Sequence, residues 1–461
     1  MKGNKSKYFK RNMFAVFCGS VGIQGMYVFV TNYSLMFFTN FLGISAGIAG
    51  FILMASKIWD GINDPMFGVI IDKSHFKWGK TQPFIFWGGI ITAIALALLF
   101  TVPSFGTAGR TAWAAIWYNV IGMAFTAATL AVTLQTSRGS SHASERVNFS
   151  GIHVLGCSVC GVIMAALSTR IVQAFANTNP EKGYFYAAVV SAVIGLVFVI
   201  ANIFTFKDCA LEEEQQSQVP KAKTAEMLKA VISSKYFLIL VLAFVISNLG
   251  QNVSLSGILY YINYVLEKPE LTTLFLPMNY IIMTLVGVLG SSGVFSKFPK
   301  KTLTYISLFL MTAGYLIKII NTGVIAFFVG TALSAAGNSL LLLAYLPMLL
   351  DCADYAEYKT GVNCQALILS GQSLFSKIGI GLATAIFGFI IQAGGFDGTS
   401  AVQSATAITS IRAASLYAPL PFFLIGMLML FAYKLNEKDM QTIREKLSRR
   451  KEENSSNTYQ N

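Results

Sequence analysis

Twelve long apolar segments determine the fold class of this chain. Each is long enough to cross the ~30 Å hydrocarbon core of a bilayer as a helix. They lie near residues 13–38, 46–71, 83–102, 112–135, 150–174, 184–206, 236–264, 271–292, 303–320, 323–350, 364–393 and 408–434. Of the 461 residues, 54% are hydrophobic and 12% are charged, which is typical of a polytopic membrane protein. The sequence therefore predicts an all-α membrane protein with twelve transmembrane helices.

The distribution of basic residues predicts the orientation of these helices. Most of the 34 Lys and Arg residues lie at the N-terminus, after even-numbered segments, or in the C-terminal tail. By the positive-inside rule, both termini are cytoplasmic. The net charge of +13 does not indicate nucleic-acid binding, because no basic patch alternates with an exposed aromatic platform. We expect a monomer whose surroundings are the lipid bilayer of a cell membrane, inner or plasma, in a bacterium.

A polar stretch at 207–235 divides the chain into two halves of six segments each. The predicted domains are an N-terminal six-helix half (1–206), a central cytoplasmic loop (207–235), a C-terminal six-helix half (236–434) and a basic cytoplasmic tail (435–461). This is the layout of the major facilitator superfamily, whose substrate site lies between the halves near the membrane midplane.

Four ionisable residues lie inside apolar segments. Lys57, Asp60 and Asp64 are in the second segment, and Lys377 is in the eleventh. A charge at the bilayer centre costs roughly 2.5–3.5 kcal/mol, so such residues are usually paired and placed on an ion or substrate path. Helical spacing puts the first three on one face of a helix. The pattern favours a cation-coupled transporter, and a purely architectural salt-bridge cluster is the alternative.

Enzymatic chemistry has no support in the sequence. There is no Walker sequence, no zinc-ligand spacing and no nucleophile elbow. We therefore expect a protein that is not an enzyme and has no cofactor, only a coupling ion.

Three sequence motifs resemble those of the glycoside–pentoside–hexuronide:cation symporters. The first is Trp59-Asp-Gly-Ile-Asn-Asp-Pro65, followed by Trp78-Gly-Lys80 and Pro83. The second is Ala353-Asp-Tyr-Ala-Glu-Tyr-Lys-Thr-Gly361, after the tenth segment. The third is Gln372-Ser-Leu-Phe-Ser-Lys377, in the eleventh segment. In topology and segment order the resemblance covers the whole chain.

The resemblance implies which residues bind the coupling cation, which in the family is sodium, lithium or a proton. Asp60 and Asp64 match its two cation-binding acids, and Thr126 matches a threonine that lines the same site. Lys377 matches a nearby lysine, and Lys57 stands where the family has an arginine. The chemistry agrees, since hard alkali cations prefer oxygen ligands, which Asn63 beside the acids also offers. The resemblance therefore implies a site that can hold Na+ at Asp60 and Asp64.

The sugar-binding positions of the family are less well preserved here. The residues that correspond to them, or lie within a turn of them, are Gln24, Thr129, His153, Tyr345, Gln372 and Ser373. Their side chains can still hydrogen-bond a polyol. For Gln24 and His153, helix packing is the alternative role.

Four charged residues near the predicted cytoplasmic ends are candidates for gating. Asp72 and Lys80 flank the turn after the second segment, and Asp354 and Glu357 follow the tenth. Inter-helix charge contacts between the halves are the functional interpretation. A topogenic basic loop and a solvated acidic turn are the alternatives.

The sequence thus predicts a secondary symporter that moves a sugar or glycoside (glycoside, pentoside or hexuronide) with a monovalent cation. The rival interpretations are a lipid or drug carrier on the same scaffold and a non-transporting sugar sensor. The neutral ligand Thr126 favours sodium as the coupling ion, whereas two close carboxylates share a proton readily. The family uses either ion, so the resemblance does not choose between them.

Overall fold

The computed structural model describes residues 8–74, 76–140, 143–209, 235–291, 294–361, 365–400 and 402–458. All regular secondary structure in these ranges is helical. The first six helices are α1 Phe9–Asn40, α2 Ala46–Lys73, α3 Gln82–Leu99, α4 Thr107–Arg138, α5 Ala143–Ala174 and α6 Pro180–Thr205. The next five are α7 Lys235–Ser256, α8 Thr272–Ser291, α9 Lys300–Ile320, α10 Val324–Thr360 and α11 Gln365–Ala393. Helix α12 comprises Ala405–Arg412, a π-helical turn Ala413–Tyr417 and Pro419–Phe431, and α13 is Glu437–Thr458.

The prediction of an all-α protein with twelve spans is confirmed. Eleven of the helical segments in the described ranges are long and apolar enough to cross a membrane. Helix α2 is the twelfth; its 28 residues suffice in length. It falls below the apolarity of the others because it carries Lys57, Asp60 and Asp64.

One compact unit comprises Met1–Ser217, Val253–Thr284 and Ile380–Ser415. Helix α1 lies at its centre against α4, α5 and α6. Small residues allow close helix approach: a Cβ on Gly22 would lie 2.8 Å from the Gly195 carbonyl oxygen of α6. Helix α2 packs on α11 in the same way, since a Cβ on Gly381 would lie 3.0 Å from the Lys57 Cβ. This packing fixes the face of α2 that carries the ionisable residues.

The second compact unit comprises Gln218–Asn252, Leu285–Gly379 and Leu416–Asn461. Its core joins α7, α9, α10, α12 and the tail helix α13. Met440, Ile443 and Leu447 of α13 are buried in that core. Gly361 ends α10 in the left-handed region at φ 72°, which explains why a glycine closes the second motif. The first unit draws on both predicted six-helix halves, whereas the second contains no residue of the N-terminal half. Most of the predicted central loop lies outside the described residues. The division into sequence domains stays a prediction.

Candidate functional site

The ionisable face of α2 contains a buried ion pair. The Lys57 Nζ donates to the Asp60 Oδ2 at 3.1 Å, an i,i+3 contact within one turn of helix. The side chains are only 11% and 5% exposed, respectively. Burial of such a pair is unfavourable unless further groups satisfy it. The surrounding residues are therefore part of the site.

Two aromatic residues from neighbouring helices hold the Lys57 ammonium. The Tyr27 hydroxyl of α1 accepts a hydrogen bond from it, and the Tyr27 ring centroid lies 4.8 Å away. The Tyr118 ring of α4 lies at 6.0 Å. Tyr27 in turn stacks on Phe125, with centroids 3.7 Å apart and an interplanar angle of 13°. Cation–π attraction to the two tyrosine rings and the stacking of Tyr27 on Phe125 hold the Lys57 side chain between α1 and α4.

Helix α4 lies directly against the Asp60 carboxylate at Gly122. A Cβ at this position would overlap the Asp60 Oδ1, so a larger residue would require the carboxylate to move. Thr126 is one turn after Gly122 and is 4% exposed. Thr126 therefore shares the face of α4 that carries Gly122. Alternate spans of an up-and-down bundle run in the same direction. Because α2 and α4 run in the same direction, Thr126 lies at the level of Asp64, which is one turn after Asp60.

Several buried polar atoms of α2 and α4 have no hydrogen-bond partner within the described residues. They include the Asn63 Nδ2 and Ser56 Oγ of α2 and the Thr129 Oγ1 of α4. Asn63 is 1% exposed and lies on the turn between Asp60 and Asp64. An unsatisfied buried polar group costs about 1–3 kcal/mol, so each of these atoms is open to a partner such as a substrate hydroxyl or a water molecule. Asp64 is half-buried.

Helix α1 carries a polar stripe that links this pair to a second candidate residue. Ser20, Gln24 and Tyr27 follow one another at i, i+4 and i+7, so they share a face. The Ser20 hydroxyl is 2.7 Å from the His153 Nδ1 of α5. Tyr27, at the other end of the stripe, contacts Lys57. Three of the predicted residues, Gln24, His153 and Lys57, therefore lie on or against one stripe of α1.

The remaining candidates for sugar binding and charge pairing lie in the second unit. Tyr345 of α10 is buried, and its ring stacks on Phe244 with centroids 3.6 Å apart. On α11, Gln372 is half-buried and Ser373 is exposed. Lys377 is half-buried one turn before Gly381. Its pairing with Asp60 or Asp64 stays a prediction.

Three of the four candidate gating residues, Asp72, Lys80 and Asp354, form ion pairs. In the first unit, the Lys80 Nζ is 3.9 Å from the Asp72 Oδ1. In the second unit, the Arg444 Nε donates to the Asp354 Oδ2 at 3.0 Å. Arg444 belongs to α13, so the tail helix reaches the acidic end of α10. The Glu357 carbonyl oxygen accepts from the Gly361 amide at the helix end.

Sequence reasoning missed the partners of these charges. Tyr27, Tyr118, Gly122 and Arg444 are contributed by other helices, and no local pattern marks them. For Tyr27 alone the sequence holds an indication, because it lies one turn after the candidate residue Gln24 on the same face of α1.

Alanine at Gly122 is expected to weaken both the fold and cation binding, because its Cβ pushes the Asp60 carboxylate away from Lys57. Overpacking of this kind costs about 1–3 kcal/mol. The matched control is Gly151→Ala on α5, where a Cβ would meet nothing within 4 Å. Alanine there should be neutral or slightly stabilising. Apparent melting temperatures of the two purified variants test this; equal values would contradict the tight fit at Gly122.

Comparison with known proteins agrees with this geometry. The model of the MFS/sugar transport protein family matches residues 15–437. The isoprimeverose transporter of Lactiplantibacillus pentosus is 27% identical over 415 residues, which cover 88% of this chain and 85% of that protein. A putative glycoside/cation symporter of Escherichia coli (strain K12) is 24% identical over 421 residues, covering 89% of each chain.

Solved structures show the same fold. A crystal structure of a D-xylose–proton symporter aligns with a TM-score of 0.68 at 13% identity, covering 94% of this chain and 99% of that one. A bacterial homologue of the human lysosomal transporter Spinster, in an inward-facing conformation, aligns with a TM-score of 0.66 at 14% identity, covering 96% and 98%. The predicted major facilitator fold is therefore confirmed.

The family match covers most of the chain, including α2 with its buried ion pair and α4 packed against it. The chain belongs to the MFS/sugar transport protein family and is a multi-pass membrane transporter, not an enzyme.

Proposed function

We propose that this protein is a secondary active symporter that carries a sugar or glycoside together with a monovalent cation. The observation that carries the proposal is the buried Lys57–Asp60 pair, set among polar groups from α1, α2 and α4. Two relatives, an isoprimeverose transporter and a putative glycoside/cation symporter, support the substrate class and the cation.

In this proposal Asp60 and Asp64 bind the cation, with Asn63 and Thr126 as neutral oxygen ligands. Lys57 and the two acids together leave one net negative charge on α2. One monovalent cation neutralises that charge, and carboxylate, amide and hydroxyl oxygens suit a hard ion. Lys377 is the additional charge partner, able to compensate the acids when the cation has left.

The α1 stripe provides the route from cation to sugar. Tyr27 contacts Lys57 at one end, and Gln24 and Ser20 continue towards His153. Cation binding at Asp60 reorients Lys57 and Tyr27 and so changes the polar face offered to the sugar. Because coupling is reciprocal, the sugar raises the affinity for the cation by the same factor.

The proposed sugar ligands are Gln24, Thr129 and His153 in the first unit and Tyr345, Gln372 and Ser373 in the second. The buried Thr129 Oγ1 and Tyr345 hydroxyl have no partner within the described ranges, so each is available to a sugar hydroxyl. The substrate class is a glycoside, pentoside or hexuronide.

The pairs Asp72–Lys80 and Asp354–Arg444, with Glu357 beside the latter, are the proposed cytoplasmic gating contacts. They lie at the basic ends of the helices, which the positive-inside rule places in the cytoplasm. Each of these pairs lies within one unit, so the gating role requires that the charges exchange these partners for others during alternating access. The protein acts as a monomer in a bacterial cell membrane.

A transport screen in proteoliposomes tests the function. Labelled glycosides, pentosides and hexuronides are offered with an inward sodium gradient, an inward proton gradient, or neither. Uphill uptake of one sugar class under one ion gradient supports symport. Uptake of amphipathic lipids or drugs in place of all sugars would support a carrier of a different kind, and binding without any counterflow would indicate a sensor.

We propose sodium as the coupling ion, because a proton site has no need of the neutral ligands Asn63 and Thr126. The test is a sodium titration of sugar binding at fixed alkaline pH, where protons are scarce. Sugar affinity is expected to rise at least about tenfold from sodium-free to sodium-rich buffer, within the usual range of coupling between sites. An affinity that stays constant, with uptake driven by a pH gradient, would assign the coupling to protons.

A further inference from the structure

An apolar groove lies on the outer surface of α3 and α4, separate from the site around Asp60. It encloses about 700 Å³. Its walls include Phe84, Trp87 and Ile91 of α3 and Met123 and Ala127 of α4. Trp87, Ile91 and Met123 are 57%, 42% and 38% exposed. These residues belong to membrane spans, where the medium outside the protein is acyl chain, so the groove opens to lipid.

The groove has a charged end. Lys77 and Trp78 line it from the turn between α2 and α3, and both are exposed. Residues 72–80 contain three lysines and one aspartate, so the turn is net basic. Tryptophan and lysine at the same level are typical of the headgroup region. From this turn the lining residues of α3 extend from Pro83 to Ile91, about 12 Å along the helix, which is less than one leaflet.

We propose that this groove binds one anionic phospholipid of the cytoplasmic leaflet, with its headgroup at Lys77 and an acyl chain along Trp87, Ile91 and Met123. An anionic phospholipid fits this groove in charge and shape, because the apolar groove ends at the exposed Lys77 and Trp78. A second copy of the chain docked here around a twofold axis would bring the two basic turns together, which is unfavourable.

The groove shares a wall with the cation site. Val120, Met123, Ala124 and Ala127 of α4 line it. Gly122, which lies against Asp60, is on the opposite face of the same helix, since these positions are roughly half a turn away. A lipid that presses on one face of α4 therefore sets how closely Gly122 and Thr126 approach Asp60.

Lipid retention by the purified full-length protein tests the site. The protein is reconstituted in vesicles of equal parts phosphatidylcholine and phosphatidylglycerol, extracted in detergent, and weighed by native mass spectrometry. One retained phosphatidylglycerol is expected for the wild type. Lys77→Gln should lower its retention about fivefold, as expected for one lysine near an anionic surface. Lys207→Gln, an exposed lysine outside the groove, is the control and should retain the lipid.

A pair of tryptophan variants separates filling of the groove from loss of folding. Ile91→Trp places a large side chain in the channel and should exclude the lipid. Ile94→Trp, at a 55% exposed position on the same helix but outside the groove, should not. Equal retention of phosphatidylcholine and phosphatidylglycerol, or equal retention by both tryptophan variants, overturns the proposal. A dimer mass that disappears only with Ile91→Trp would assign the groove to self-association and overturns it too.

The effect on the cation site rests on the proposed function and has a separate measurement. The half-saturating sodium concentration for sugar binding should shift at least about threefold when phosphatidylglycerol replaces phosphatidylcholine, and Lys77→Gln should remove that shift. A lipid that is retained without any shift overturns the coupling through α4. The absence of sodium dependence in every lipid instead contradicts the proposed sodium coupling and leaves the lipid site intact.

Discussion

Asparagine in place of Asp64 is expected to abolish uphill sugar accumulation while the protein still folds. A carboxylate on a membrane span has no lipid-compatible role unless it binds something. Loss of one charged ligand from a desolvated site typically costs about 2–5 kcal/mol, so cation affinity should fall roughly 30-fold or more. Asp60→Asn should uncouple transport in the same way, because Asp60 is the more buried acid and lies against Gly122.

The measurement compares two modes of transport in the same proteoliposomes. Accumulation against a sugar gradient needs the cation, whereas sugar exchange at equilibrium needs only the sugar site and alternating access. Asp64→Asn should lose accumulation against a gradient and keep a measurable part of the equilibrium exchange. Glu181→Gln, an exposed acid at the start of α6, is the matched control and should accumulate sugar normally. Uphill uptake by a well-folded Asp64→Asn protein would refute the cation-site assignment.

The spans were predictable because their signal is local. An apolar segment of about 20 residues has few alternatives to a transmembrane helix, whatever its neighbours are. The same reasoning identified α2, since Lys57, Asp60 and Asp64 share one face of any helix that contains them. The i,i+3 pair between Lys57 and Asp60 follows from that spacing and needs no tertiary information.

The partners of the pair could not be predicted, because they depend on which helices pack together. Gly122 is one of 39 glycines, and only its contact with Asp60 distinguishes it. Tyr27 and Tyr118 likewise look like ordinary aromatic residues of apolar spans. Arg444 reaches Asp354 only because the apolar stripe of Met440, Ile443 and Leu447 docks the tail helix on its own unit.

The sugar site is less determined by sequence than the cation site for a physical reason. A cation requires charged oxygen atoms, which are rare inside a membrane and therefore conspicuous. A sugar requires hydroxyl, amide and aromatic groups, which also serve helix packing. His153 illustrates this, since its contact with Ser20 fits both a packing role and a position beside a sugar.

Methionine in place of Lys57 is expected to destabilise the protein by about 3–5 kcal/mol, the usual cost of removing one partner of a buried ion pair. Methionine keeps the length and apolar stem of lysine but removes the ammonium from Asp60 and Tyr27. Lys57→Arg is the matched control, because it keeps the charge and its stacking on tyrosine. The apparent melting temperature of Lys57→Met should be clearly below those of the wild type and of Lys57→Arg.

The double variant Lys57→Met/Asp60→Asn separates the two roles of the pair. It removes both charges, so much of the stability lost in Lys57→Met should return, as for other buried pairs replaced by uncharged groups. If Asp60 also binds the cation, this stable protein exchanges sugar but cannot accumulate it. Recovery of stability together with accumulation would show that the pair is architectural. Recovery of stability without accumulation is the outcome we expect, because in the proposed function Asp60 is a ligand of the coupling cation as well as the partner of Lys57.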